Sequence, residues 1–319
     1  MSRVIALSGG VGGAKLALGL SRILMPDDLT IVANTGDDFE HLGFYICPDI
    51  DTLLYTLGGV CNTETGWGRA DETWQFMEEL KSTNTEEAWF LLGDKDLETH
   101  LYRTAALGRG DSLTDVTARL AAKFGVLPRI VPMSDDPVRT HVLADMAGEE
   151  RWFPFQEYFV RYRCEPRTLR IEFRGCTDAA VSPQLLSAFE ADSVKAVIVC
   201  PSNPYLSIDP ILAVPGIRGL IESCAAPVVA VSPVVAGHAI KGPTAKIMQE
   251  LGLQSDVETI ARHYDGLIDG LVIDREDAGE ADRVEAHGIR VTVTNTVMRS
   301  LSDRKQLASD VLEFAAAST

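Results

Sequence analysis

Apolar positions fall in two textures along the chain. Short, nearly continuous runs rich in β-branched residues occur at Val4–Leu7, Thr30–Ala33, Val194–Cys200, Val228–Val231, Gly270–Ile273 and Arg290–Thr294. Runs of this length and kind predict strands of a parallel sheet covered on both faces. Between them, apolar residues recur at helical spacing. Ser112-Leu113-Thr114-Asp115 has the form of a capping box opening one helix. Pro243 begins another, at a place where a helix tolerates proline. A last helix is expected over about Asp303–Ala316. The alternation predicts an α/β fold: a doubly wound, Rossmann-like, mostly parallel sheet with right-handed crossovers.

The middle of the chain breaks this rhythm. Residues 138–180 carry Arg151, Trp152, Phe153, Phe155, Tyr158, Phe159 and Tyr162, followed by a charged strand, Thr168–Arg174. We therefore expect a smaller inserted subdomain at 138–180, within an α/β core built from 1–137 and 181–319. The segments around 34–50 and 59–70 are long and rich in Gly, Asn, Thr and Asp. Long loops in a compact α/β protein are usually functional.

Composition narrows the function. The 319 residues are 46% hydrophobic and 24% charged, ordinary for a folded chain. Acids outnumber Lys plus Arg by 46 to 29, a formal net charge of −17. That sign argues against a nucleic-acid binder that neutralises phosphates, and against docking on an anionic membrane. No apolar run reaches transmembrane length, and Met1–Leu7 lacks the pattern of a signal peptide. The closest cysteines, Cys164 and Cys176, are too far apart for C-x-x-C or zinc spacing. A reduced, cytoplasmic protein is the expectation, and base rates make a homodimer the expected assembly.

The residues with chemistry sit after strands. Ser8-Gly9-Gly10-Val11-Gly12-Gly13-Ala14-Lys15 follows one strand and opens a helix. Glycines there let backbone approach a ligand, and N–H groups at a helix start favour an anion. The spacing is neither the dinucleotide fingerprint, since Lys15 stands where its third glycine belongs, nor a Walker loop. A tight turn without a ligand is the alternative.

Two acidic strings follow: Asn34-Thr35-Gly36-Asp37-Asp38 and Pro48-Asp49-Ile50-Asp51-Thr52. Carboxylates facing a phosphate loop repel the ligand unless a divalent cation lies between, and Mg²⁺ takes one or two carboxylates plus phosphate oxygens. Asp49 and Asp51 are the candidate metal ligands; one of them capping the helix that starts nearby is the alternative. Both read as edge carboxylates that contribute little to the core.

Gly93-Asp94-Lys95-Asp96 precedes a helix with His100 and Arg103. Met133-Ser134-Asp135-Asp136-Pro137, Pro201-Ser202-Asn203-Pro204, Ser232-Pro233 and Lys241-Gly242-Pro243-Thr244 repeat the theme of small polar groups after strands. Trp67 offers a ring for an aromatic ligand. There is no G-x-S-x-G elbow and no H-E-x-x-H.

Taken in order, these strings resemble the 2-phospho-L-lactate transferases, which make the deazaflavin coenzyme called factor 420. The resemblance covers residue 4 to about residue 300. It implies a donor that is a guanosine diphosphate ester of lactate, or of enolpyruvate in bacterial members. The implied acceptor is the terminal ribityl hydroxyl of 7,8-didemethyl-8-hydroxy-5-deazariboflavin; GMP leaves and Mg²⁺ is required. Carried over by motif, the deazaflavin and metal contacts fall on Asp49 or Asp51 and on Lys95, where many relatives have Arg. The phosphate contacts fall on Ser8, Gly9, Gly10, Gly12, Gly13 and Lys15, and nucleotide contacts on Ser202 and Asn203. Substrate contacts are expected at Asn34, Trp67, Ser134 and Asp135. A glycine loop, aspartates and a lysine suit phosphoryl-type transfer, which needs positioning and charge neutralisation. An aspartate not tied to metal would take the hydroxyl proton; spacing leaves open which. Competing readings are a nucleotide-sugar-binding regulator of the gluconeogenesis-factor type and an NAD-type oxidoreductase.

Overall fold

The computed structural model describes residues 3–83, 86–190, 194–239 and 242–317; Lys241 lies outside them. In chain order the strands are β1 (Arg3–Ser8), β2 (Leu29–Ala33), β3 (Phe39–His41), β4 (Phe44–Ile46), β5 (Arg129–Pro132), β6 (Arg139–Met146) and β7 (Glu149–Pro154). There follow β8 (Arg167–Arg174), β9 (Val194–Val199), β10 (Val228–Val231), β11 (Val234–Val235), β12 (His238–Ala239), β13 (Gly270–Asp274) and β14 (Arg290–Thr294).

The expected strands are present, most of them a residue or two off the expected bounds. Seven strands form one parallel sheet in the order β14-β13-β10-β9-β1-β2-β5. Counted in chain order among themselves, they run 3-2-1-4-5-6-7 from the β5 edge. This is the Rossmann arrangement with one strand added, and its order reverses between β1 and β9.

Burial on both faces explains the uninterrupted apolar runs. β1 sends Ile5 and Leu7 into one core and Val4 and Ala6 into the other; β9 divides Val197 and Val199 from Ala196 and Ile198 in the same way. The Val4 face is covered by the helices Gly10–Ser21, Pro48–Leu57, Leu113–Lys123 and Leu301–Ala316. The Ile5 face is covered by Pro183–Phe189, Ile217–Ser223, Thr244–Glu250 and Val257–His263.

The stretch that breaks the pattern folds as a three-stranded antiparallel sheet, β7-β6-β8. Val142, Phe153 and Tyr158 from it join Ile5 and Leu7 in a single core. The insertion thus lies on the central sheet as part of its cover, and its aromatic run is apolar because it is buried there.

Two helix starts differ from expectation. Ser112 Oγ accepts the Asp115 N–H at 3.0 Å, but the reciprocal box forms at Ser300 and Asp303, which begins the last helix at Leu301. Pro243 occupies the N-cap of Thr244–Glu250, one residue outside the helix. No helix among the described residues is long and apolar enough to cross a membrane.

Phe153→Ala tests the shared core. Phe153 is fully buried, so the truncation is expected to cost about 3–5 kcal/mol in denaturant unfolding. A loss below about 1 kcal/mol would mean the inserted sheet is not packed as described.

Candidate active site

A cleft of about 690 Å³ opens at the carboxyl ends of the parallel strands, where their order reverses. Ligands of open α/β sheets bind at such a point. The loops after β1 and β9 meet there. Ser202 Oγ accepts the Gly9 N–H at 3.1 Å and donates to the Gly9 carbonyl at 2.8 Å. Gly10 has φ +62° with open space where a side chain would stand, so glycine is needed there for its backbone and for access. At Gly12, a Cβ would overlap the Pro201 carbonyl oxygen. Gly12→Val therefore strikes protein before ligand: this glycine makes room for the Pro201 carbonyl and not for the phosphate that the loop's sequence leads one to expect. Gly13 lies against the Ser8 and Ser202 hydroxyls, and neither Ser8 nor Gly13 lines the cleft. The N-cap of the helix Gly10–Ser21 makes no side-chain cap hydrogen bond; the Gly10 N–H is held by Asp49, so it is the N–H groups of the next residues in the first turn that suit an anion. Lys15 lines the cleft and its Nζ donates to the Met298 carbonyl at 3.2 Å.

The carboxylates divide into a polar couple and an ion pair. Asp49 Oδ1 accepts the Gly10 N–H at 2.7 Å, and its Oδ2 accepts from Asn34 Nδ2 at 2.9 Å. Asn34 thus serves by holding Asp49 and does not itself line the cleft. Burial pushes Asp49 up to about 6, against the pull of those two donors. Asp37 stands well above the carboxylate range, through burial first and then the charge of Asp49. Its Oδ1 is buried without a hydrogen bond.

Asp51 has a different partner. Both its oxygens accept from the guanidinium of Arg103, which is fully buried. His100 Nδ1 lies 3.7 Å from Asp51 Oδ2; burial lowers His100 to about 4, so its ring is neutral at pH 7. Asp51 lines the cleft but is no loose edge carboxylate, because its charge is already answered inside the protein by Arg103.

Part of the lining is aromatic. Trp67, Trp89, Phe90, Phe155 and Phe159 form it, with the Phe155 and Phe159 rings stacked at 5.3 Å and 15°. Gln156 Nε2 donates to the Asp37 carbonyl at 3.2 Å, tying the insertion to the acidic loop. Sequence reasoning missed this contribution, although the aromatic run in a segment foreign to the α/β rhythm was its signal. It also missed Asp96 and Thr296, which line the cleft as well.

Besides Asn34, three more expected substrate contacts lie elsewhere. Lys95 Nζ donates to the Ala70 carbonyl at 3.2 Å, outside the lining. Ser134 Oγ donates to the Ala180 carbonyl at 2.6 Å. Asp135 Oδ1 accepts from the N–H and hydroxyl of Thr114, at 2.7 and 2.8 Å, and so caps a helix. Asn203 does line the cleft, and its Oδ1 accepts from Tyr205 and Leu206 N–H groups. Its buried Nδ2 makes no hydrogen bond.

Strand order and cleft place the molecule among doubly wound α/β proteins, whose ligands bind at the switch point. The family model described as 2-phospho-L-lactate transferase CofD matches residues 4–314. A phosphoenolpyruvate transferase from Streptomyces griseus is 42% identical over 314 residues, 98% of each chain. One from Nocardia farcinica is 38% identical over 301 residues, 92% of this chain and 90% of that one. A solved member of the UPF0052 family from Bacillus halodurans aligns with a TM-score of 0.65 at 16% identity, over 98% of this chain and 100% of that one, a likeness of fold alone. The chain belongs to the CofD family and is a transferase of coenzyme F420 biosynthesis.

Asp51→Asn is expected to destabilise the protein by about 3–5 kcal/mol, because it leaves the buried Arg103 charge without its partner. Urea unfolding at pH 7 measures this. A loss under about 1 kcal/mol would return Asp51 to the role of an independent edge carboxylate.

Proposed function

We propose that the protein transfers a phosphoenolpyruvyl group from a guanosine diphosphate ester to the ribityl hydroxyl of 7,8-didemethyl-8-hydroxy-5-deazariboflavin, releasing GMP. The observation that carries this reading is a cleft with two unlike halves joined at the Asp37–Asp49 couple. On one side stand the glycine loop, Lys15, Ser202, Asn203, Pro243 and Thr296, from loops after β1, β9 and the strands beyond. These suit a diphosphate and its nucleoside. On the other side the aromatic wall suits a flat, largely apolar ring system. The enolpyruvyl ester is preferred over the lactyl ester because the relatives at 42% identity carry the name phosphoenolpyruvate transferase.

The reaction joins the two halves. The acceptor oxygen forms a bond to the phosphorus that bears the small acid. The bond from that phosphorus to the GMP oxygen breaks, and GMP leaves with the electron pair. The hydroxyl proton passes to a carboxylate. The helix start at Gly10 and the ammonium of Lys15 face the charge that grows on the leaving phosphate. Lys95, by holding the Ala70 carbonyl, keeps the loop of Trp67 against the acceptor half.

The residues fit Mg²⁺. Among the described residues no group of three or more His, Cys, Asp or Glu side chains is arranged to hold a metal alone. A hard cation shared with phosphate oxygens needs only one or two carboxylates, and Asp37, with its unpartnered buried oxygen, stands beside Asp49. These two would hold the ion, which when bound neutralises diphosphate charge.

Purified protein with deazaflavin, Mg²⁺ and each ester is expected to release GMP, the enolpyruvyl ester giving at least about tenfold higher kcat/KM, a difference of roughly 1.4 kcal/mol. No GMP from either ester would overturn the reading. Asp37→Asn is expected to raise the Mg²⁺ concentration for half-maximal rate by about tenfold or more. It should also raise Tm at pH 8 more than at pH 4. Asp37 is raised in the fold above its unfolded value of about 4, so stability falls as pH rises from there through the folded value, and Asn removes that loss.

A further inference from the structure

We propose that Asp96 is the proton acceptor for the ribityl hydroxyl, an assignment that rests on the transferase reading. The candidates for a base are the carboxylates of the cleft, and the structure commits most of them. Asp49 accepts from Gly10 and Asn34 beside the phosphate loop. Asp37 stands beside Asp49, whose charge raises it, and fits the cation. Asp51 gives both oxygens to Arg103. Asp38 is buried but does not line the cleft.

Asp96 remains, and its setting suits the task. It lies in the first turn of the helix Asp94–Gly108, is 9% exposed, and lines the acceptor half of the cleft. Its Oδ1 is buried without a hydrogen bond, so this carboxylate of the lining has an acceptor oxygen whose hydrogen bond is still unfilled. The turn at Gly68 approaches its other oxygen: a Cβ on Gly68 would lie 3.7 Å from Asp96 Oδ2. The G-D-K-D string thus contributes its second aspartate to the cleft, while Lys95 turns to the loop behind it.

The charged and titratable neighbours are Asp51 and Tyr55 on the helix Pro48–Leu57, and Glu72 and Arg69 on the preceding loop. Burial raises Asp96 to about 7, with Asp51 and Glu72 adding to the rise and Tyr55 and Arg69 opposing it. A base works best with a pKa near the operating pH. In the step, the acceptor O–H bond breaks as the O–P bond forms. The proton goes to Asp96 and the electron pair of the P–O bond departs with GMP. Asp96 then returns the proton to solvent.

The test compares wild type, Asp96→Asn and Asp96→Glu with saturating Mg²⁺ and donor. Asp96→Asn is expected to lower kcat at least about 100-fold, the low end of what a general base supplies. Its deazaflavin dissociation constant, read by titrating the ligand's fluorescence, should change less than about threefold. Wild-type kcat/KM for the acceptor should climb with pH through about 7, and Asp96→Asn should lack that limb. Asp96→Glu should keep the limb at reduced kcat, a rescue that a merely structural role would not produce. An Asp96→Asn enzyme that keeps its rate or the limb overturns the proposal. So does an Asp96→Glu enzyme without the limb, which serves if the Asn variant does not fold. A wild type that releases no GMP overturns the transferase reading and this assignment together, whereas a turning wild type beside an equally fast Asp96→Asn overturns this assignment alone.

Discussion

Unequal burial of charge governs this molecule. Asp37, Asp38, Asp49, Asp51 and Asp96 are withdrawn from water around one cleft. Inside, Arg103 answers Asp51 with both arms of its guanidinium. Arg139 opposes the rise of Asp38, which burial still carries to about 7. The others are left raised or held only by neutral donors. Such a site costs stability until its ligands arrive, since buried carboxylates without counter-charge either take up protons or bind cations. The strain is tolerable because three of the five sit on rigid elements, while Asp37 and Asp38 lie in the turn between β2 and β3. Asp49 and Asp51 ride the first turn of one helix, and Asp96 the first turn of another, where the helix dipole favours negative charge.

The same geometry separates the jobs of residues that look alike in sequence. Asp49 and Asp51 are two apart, so on a helix they point some 200° apart around the axis. One meets the glycine loop and the other meets Arg103. Lys95 and Asp96 are adjacent, and one leaves for the Ala70 carbonyl while the other enters the cleft. A motif read as a block of site residues therefore becomes, in three dimensions, a set of partners on different faces.

The cleft also draws on two architectures. The parallel sheet supplies anion-binding loops at its switch point, a property of the fold shared with a UPF0052 protein at 16% identity. The antiparallel insertion supplies Phe155, Gln156 and Phe159, and one of its contacts, Gln156 to the Asp37 carbonyl, ties the aromatic wall to the acidic loop. The insertion can do this because its other face is already fastened to the core through Val142, Phe153 and Tyr158.

Much was legible in the one-dimensional pattern because the physics involved is local. Strands buried on both faces must be continuous apolar runs, and a backbone that turns through φ +62° at Gly10 calls for glycine. The ordered strings from Ser8 to Pro243 carried the family, because a loop's chemistry is written in consecutive residues. What tertiary structure alone decided is which charges meet. Arg103 reaches Asp51 across 52 residues, and Asn34 and Gly10 converge on Asp49 from two other loops. Asp135 is spent on capping a distant helix. Pairing of this kind depends on distance in space and on the exclusion of water, and neither quantity is carried by spacing along the chain.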